Sequence, residues 1–497
     1  MKTKEINLQE GDEQIDLVQS TKPILIENLN FRQQKHLETL IASYTQRTKT
    51  SKRLAQNYRS VLADPRGSEG FYPLIKEIVY PIISKHALNS KMWDVDDNEY
   101  IDIAMGFGVN LFGHNPSFIR DALAERLEQG IQIGPQSDLA GEVAELVSDL
   151  TGKERVAFIN TGTEAVMTAI RIARAATGRN KIVLFSNSYH GHFDGALVKA
   201  QKTEGNTYTV PAYLGVSPNI AEDVLVLDYG HSLSLEVIKA HKQELAAVIV
   251  EPVQSRQPDL QPKEFLQQLR QLTKESEIVL IFDEIITGFR IHLGGAQAWF
   301  GVEADIATYG KIVGGGMPIG IIAGKASYMD RIDGGMWNYG DGSFPRGETT
   351  LLSGTFCKHP LAMAAARVVL KHLKNQGPTL QQQLNQRTSQ FVKKLNTYFE
   401  FEEIPIKLAN FGSIFNSVPL SNSDPSVNSD SSEQATLINY LLYHHLIDKG
   451  VYLRLSFSAL STAHTDEDLD FIIQAVKDSV KELQGGGFLP IPSEQIG

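Results

Sequence analysis

The sequence predicts an α/β protein built on a mostly parallel sheet, and three observations carry that expectation. Between about 120 and 370, apolar runs of strand length alternate with stretches of helical periodicity. The runs Val156–Ile159, Ile182–Phe185, Ala247–Val250, Ile278–Phe282 and Ile319–Ala323 contain no polar residue, as strands covered on both faces do not. After about 373 the pattern changes to long polar helices with a few strands, as in a smaller α+β unit. With 497 residues, 42% of them hydrophobic, the chain has material for a large core and for two or three domains.

Taken in chain order, residues 1–62 read as a helical N-terminal extension. Leu37, Leu40, Ile41 and Tyr44 recur at helical spacing, and Arg32, Lys35, Arg47, Lys49, Lys52 and Arg53 supply a basic face. Such a face is either the solvated side of a packing helix or a docking surface for an acidic partner. Residues 63–119 form the N-terminal part of a small domain, with a Pro/Gly-containing linker from Asp64 and strands at Lys91–Asp96 and Tyr100–Ile103. Residues 120–372 are the large domain, with helices on both faces of its sheet, and 373–484 the C-terminal small domain. Ser421–Gln434, rich in Ser, Asn and Asp, reads as a surface loop, and 485–497, opening on three glycines, as a flexible tail. There is no internal repeat.

Composition excludes several classes. A net charge of -11 argues against general nucleic-acid binding. Cys357 is the single cysteine, so no intrachain disulfide forms, which suits the cytoplasm. The N-terminus leads into acidic sequence rather than the apolar core of a secretory signal, and no apolar run is long enough to span a membrane. Cys/His spacings for zinc are absent, and no metal is expected.

The chemistry concentrates at the predicted strand ends, where open α/β sheets bind ligands. Lys311 follows the strand-like run Asp305–Tyr309 and precedes Gly314, Gly315 and Gly316. A lysine beside backbone free of side chains has room for a bulky aldehyde on its amine and can form a Schiff base, the role of a pyridoxal-phosphate lysine. Alone it reads first as a surface lysine beside a flexible turn.

Asp283 ends a strongly apolar strand and is followed by Glu284 and Ile285. Facing a pyridinium at ~3 Å, with an effective dielectric of ~20, a carboxylate gains on the order of 5 kcal/mol. That is roughly four pKa units before desolvation, enough to keep a ring protonated. The Asp-Glu pair could also ligate a metal or cap a helix. Thr161-Gly162-Thr163 opens a helix over Val166–Ala175, whose free N–H groups and dipole suit a phosphate, or it is a plain N-cap. Tyr189, in Ser188-Tyr189-His190-Gly191-His192, could stack on a ring, although a His-rich loop is also a metal or core motif. Ser353-Gly354-Thr355-Phe356 offers anion donors or a simple turn.

In this order and spacing, from about Trp93 to Leu469, the residues resemble the class-III pyridoxal-phosphate aminotransferases, which include glutamate-1-semialdehyde aminomutase. The resemblance implies a fold type I transferase with a seven-stranded-type sheet, pyridoxal 5'-phosphate as cofactor, and a homodimer with active sites at the subunit interface. It further implies that Lys311 carries the cofactor and shuttles the proton, that Asp283 pairs with the pyridine nitrogen, and that Tyr189 and Ile285 cover the ring faces. Thr161, Gly162 and Thr163 would hold the phosphate, with Thr355 given by the neighbouring subunit.

A closer resemblance is to the aminotransferase domains of polyketide and non-ribosomal peptide assembly lines, through Asp64–Arg66, Gly70–Pro81, Met105–Pro116 and Glu251–Arg256. It implies an amino acid donor, a β-keto acyl acceptor on an acyl carrier protein, and a place in natural-product biosynthesis. Two departures bear on the substrate. Many class-III enzymes carry glutamate at Arg256 and arginine at Phe457, the latter to grip a substrate carboxylate. Without it, Arg256 or Arg454 is left for the donor carboxylate or for a surface salt bridge, and Phe107 is a pocket wall or core. The aminomutase's early Ser-Pro-Val-Arg segment is also missing. An aminomutase-like isomerase is the alternative, and a non-catalytic cofactor-binding scaffold a third. The acyl chain, the donor, the product and whether the chain works alone are not encoded in these motifs.

Overall fold

Seven strands make the central sheet of the computed structural model, which describes residues 29–67, 71–203, 206–418 and 429–492. They are β1 (Arg155–Ile159), β2 (Lys181–Phe185), β3 (Val224–Leu227), β4 (Leu245–Val250), β5 (Val279–Asp283), β6 (Ile306–Gly310) and β7 (Gly320–Gly324). Their order is β1-β7-β6-β5-β4-β2-β3. Strands β3, β2, β4, β5 and β6 pair in parallel, and β7 alone runs antiparallel, between β6 and β1. The mostly parallel α/β sheet expected from the apolar runs is therefore present.

Alternate residues of one strand serve two cores, which is why the runs lack polar positions. In β4, Ala247 and Ile249 join the cluster against the helix Gly162–Thr177, while Val248 and Val250 face the opposite layer. Every residue of β4 and β5 is buried. Two features went unseen in the sequence. The edge strand β3 is only four residues long, and the hairpin Val198–Thr203/Asn206–Pro211 lies outside the main sheet with a largely polar composition.

The N- and C-terminal parts meet in a second sheet. Val451–Tyr452 pairs in parallel with Glu99–Asp102, which continues to Lys91–Asp94 and Ser84–Leu88. Beside it, Lys407–Phe411, Ile414–Val418 and Ser458–Ala459 form a three-stranded sheet backed by the long helix Thr379–Phe401, on which the helix Asp466–Gly485 packs in turn.

Three expectations need correction. The N-terminal extension is helical over Phe31–Arg47 and Lys49–Tyr58, with a break at the buried Thr48, and its residues 1–28 lie outside the described residues. Of the Ser421–Gln434 loop, 421–428 lie outside the described residues, but the helix Ser429–Asp448 takes in the rest. The tail is not loose at its beginning: Gly485 ends a helix, and Phe488 and Leu489 are buried against the core. Residues 493–497 and Gly70 lie outside the described residues.

Candidate active site

Lys311 opens a tight turn at the end of β6, with φ at +45°, and Gly315 and Gly316 follow with φ at +56° and +99°. The lysine is thus delivered at the carboxyl edge of the parallel strands by the chain reversal into β7. Its Nζ lies 5.5 Å from the centre of the Phe457 ring. Burial pushes its pKa down to about 8, Glu251 opposing the shift and the Arg290 guanidinium adding to it.

Asp283 ends β5 at the same edge and is almost fully buried. Its Oδ2 lies 2.8 Å from Nδ1 of His190, and its Oδ1 accepts from Thr308 Oγ1 and from the Ile285 N–H, both at 3.2 Å. The adjacent Glu284 turns the other way. It accepts from the N–H groups of Ala296 and Gln297 at 2.6 and 3.1 Å, anchoring the helix Gly295–Phe300. The two readings of the Asp-Glu pair are thereby divided: one carboxylate faces the cavity, the other holds a helix. Among the described residues no group of three or more His, Cys, Asp or Glu is placed to hold a metal.

Thr161 is the N-cap of the helix Gly162–Thr177 in a reciprocal capping box, its hydroxyl accepting from the Glu164 N–H at 3.2 Å. Glu164 in turn accepts from the N–H groups of Asn160 and Thr161 at 2.9 and 3.1 Å. Glycine is required at one place here and leaves a tight fit at another. A Cβ on Gly162 would stand 3.1 Å from Ile285, and one on Gly191, at φ +88°, would stand 2.5 Å from Thr163 Oγ1.

A cavity of about 390 Å³ brings together Thr161, Gly162, Thr163, Tyr189, Asp283, Ile285 and Lys311. Tyr189 is half exposed, and its N–H donates to Glu251 Oε2 at 3.3 Å. The substrate candidates lie elsewhere. Phe107 stands against Phe457 with ring centres 6.3 Å apart, in a left-handed turn with φ at +55°, and the Arg454 guanidinium lies 5.2 Å from the Phe107 ring centre. Arg256 is exposed and lines none of this cavity, and neither does Thr355, also exposed.

Three residues escaped the sequence reading. His190 lay within the quoted loop, but its bond to Asp283 spans 93 positions. Glu251, buried with its pKa raised by that burial, reaches the cavity from the end of β4. Arg290 is fully buried on neutral acceptors, the Gly108 carbonyl and Ser413 Oγ, the latter at 2.8 Å, and burial lowers its pKa to about 10. A signal for the first two existed, since both flank predicted strand ends.

Comparison with known proteins agrees with this geometry. A glutamate-1-semialdehyde 2,1-aminomutase of Ruminiclostridium cellulolyticum is 36% identical over 414 residues, covering 81% of this chain and 91% of the relative. An omega-transaminase from Sphaerobacter thermophilus superposes with a TM-score of 0.77 at 28% identity, covering 87% of this chain and 98% of that one. A transaminase solved with PLP bound gives 0.75 at 27% identity, covering 88% and 99%. The fold is that of the fold type I transferases. The family profile described as aminotransferase class-III matches residues 75–456, and the chain belongs to that family.

Proposed function

We propose that this chain is a pyridoxal 5'-phosphate enzyme that moves an amino group from an amino acid donor to a β-keto acyl thioester on a carrier protein, in natural-product biosynthesis. The cavity fits the cofactor. It joins a helix N-terminus cleared of side chains at Gly162 and Gly191, a buried carboxylate, and a lysine whose pKa is lowered. When bound, pyridoxal phosphate supplies an aldehyde that takes up the amino group and a ring that accepts the electrons released at the donor α-carbon.

The protein's own residues supply position and protons. Thr161, Gly162 and Thr163 would hold the phosphate at the helix start, with Thr355 supplied by a second copy. Asp283, fixed by His190, Thr308 and the Ile285 N–H, would pair with the ring nitrogen. Tyr189 and Ile285 would cover the ring. The Lys311 amine, its pKa lowered to about 8 by burial, would take the proton from the donor α-carbon and return it in the transfer to the acceptor. The proposed unit is a cytoplasmic homodimer.

The observation that carries the acceptor is the wall beside Lys311. It is aromatic, Phe457 with Phe107 beyond it, so it favours a carbonyl set in an apolar chain over one beside a free carboxylate. The aminomutase reading has its own support in the 36% identical relative of that name.

An absorbance spectrum of the purified protein, taken with a panel of amino acids and no acceptor, separates the two. The transferase is expected to lose its lysine-dependent band near ~420 nm and release keto acid in stoichiometric amount, with nothing seen for Lys311→Ala. A band that no amino donor bleaches would favour the isomerase. No band even with added cofactor would sink both.

A further inference from the structure

The N-terminal helices carry a charge that the rest of the molecule does not. Residues 31–62 hold seven Lys and Arg against one acid, Glu38, in a chain whose net charge is -11. Part of this charge serves the fold. Arg32 bonds the carbonyls that end the last helix, at Gln484 and Gly485, and Lys52 pairs with Glu77 at 2.6 Å. Of the rest, Arg47 donates to the Glu99 carbonyl at 3.4 Å, while Lys35, Lys49, Arg53 and Arg59 are exposed and enter no ion pair among the described residues; the last three lie on and just after the second helix.

The neighbouring acids are already engaged. Glu77 holds Lys52, the Asp96 carboxylate accepts the Thr50 N–H at 2.8 Å at the start of the helix, and Asp64 grips Arg66 with Nε–Oδ1 at 3.0 Å. At the end of the helix and just beyond it, Tyr58, Val61 and Leu62 are 55%, 81% and 61% exposed. The ridge is therefore basic along its length and apolar at its end, the pattern of a surface that meets an acidic, amphipathic helix.

Beyond Leu62 the chain continues to Arg66. Arg66 and Arg454 line one small cavity beside Tyr80, and Arg454 stands over Phe107, which packs on the Phe457 ring next to Lys311. A flexible arm with a phosphodiester at its root could follow the two guanidinium groups from the ridge to the aromatic wall.

We propose that Lys49, Arg53 and Arg59, with Tyr58, Val61 and Leu62, dock the acidic carrier protein whose phosphopantetheine arm brings the acyl substrate. This rests on the carrier-bound acceptor proposed above and adds the place of docking.

The test compares the wild type with the triple variant K49E/R53E/R59E on one 3-oxoacyl chain in two forms. One form is loaded on an acidic acyl carrier protein; the other is the N-acetylcysteamine thioester, which has no protein to dock. The variant is expected to raise KM for the carrier form by about tenfold or more, to lose the salt dependence of that KM, and to leave the small thioester's kinetics unchanged.

Equal kinetics of variant and wild type on the carrier form would overturn the docking site while leaving the reaction intact. Wild type that aminates neither form would remove the functional reading instead. In that event the ridge stands or falls on direct binding of the unloaded carrier by fluorescence anisotropy: affinity abolished by the triple variant upholds it, and no salt-sensitive affinity ends it. Variants that change the sedimentation of the enzyme alone would make the ridge a contact between copies and overturn the proposal.

Discussion

Glu251 illustrates how a single side chain sets the chemistry of Lys311. The buried carboxylate raises the lysine's pKa against the larger effect of burial, which brings it down to about 8 from 10.5. Replacing Glu251 with Gln removes a negative charge that favours the ammonium, so the pKa is expected to fall below 8. The check is the pH dependence of Lys311 acylation in the cofactor-free protein, followed by mass spectrometry. A midpoint unchanged or moved upward would show that Glu251 is not felt at the amine. At this scale the sequence exposes Lys311 and Asp283 because each ends an apolar strand. His190 was hidden because nothing local distinguishes an imidazole aimed at a carboxylate from one in the core.

The helix Phe31–Arg47 shows the same at the scale of an element. Its periodic Leu37, Leu40 and Tyr44 face the core, as their spacing requires. What fastens its N-terminal half is not periodic. His36 Nε2 lies 2.9 Å from His445 Nε2, and His445 Nδ1 lies 3.0 Å from Glu482. Burial, and then His445, push the His36 pKa down to about 4, with Glu482 opposing.

The folded state therefore binds fewer protons than the unfolded chain between pH 4 and 6.5. The contribution of His36 to stability is full above 6.5 and is lost as the pH falls toward 4. His36→Phe is expected to lack that loss, so its melting temperature should gain on the wild type by on the order of 1–3 °C across the window. Parallel Tm curves would refute the clamp. Strands were legible where both faces are covered and illegible where, as in the 198–211 hairpin, one side is solvated and the composition is that of a loop.

For the whole molecule, the sheet is legible in the apolar runs, but the way the chain's ends meet is not. The pairing of Val451 with Ile101 joins segments that no periodicity connects. The surface also carries a dense group of exposed apolar side chains. Met336, Tyr339, Phe344, Leu351 and Phe356 are 78%, 91%, 58%, 71% and 58% exposed, on the segment that carries Thr355. Apolar side chains gathered so densely are usually covered by another subunit.

Sedimentation is expected to give twice the 55.0 kDa chain mass. Phe344→Asp with Leu351→Asp should shift it toward monomer and weaken cofactor retention by about tenfold or more, since Thr355 would no longer be supplied. A monomeric wild type would exclude that arrangement.

The insertion of β7 between β6 and β1 has a consequence in time as well as in space. Thr161 and Lys311 meet only after a late antiparallel strand has slotted between two strands made from distant parts of the chain. Contacts of such long sequence separation form slowly, because loop closure precedes any reward. The cavity is thus expected to be among the last features that a refolding chain completes, so cofactor uptake should lag behind the recovery of secondary structure.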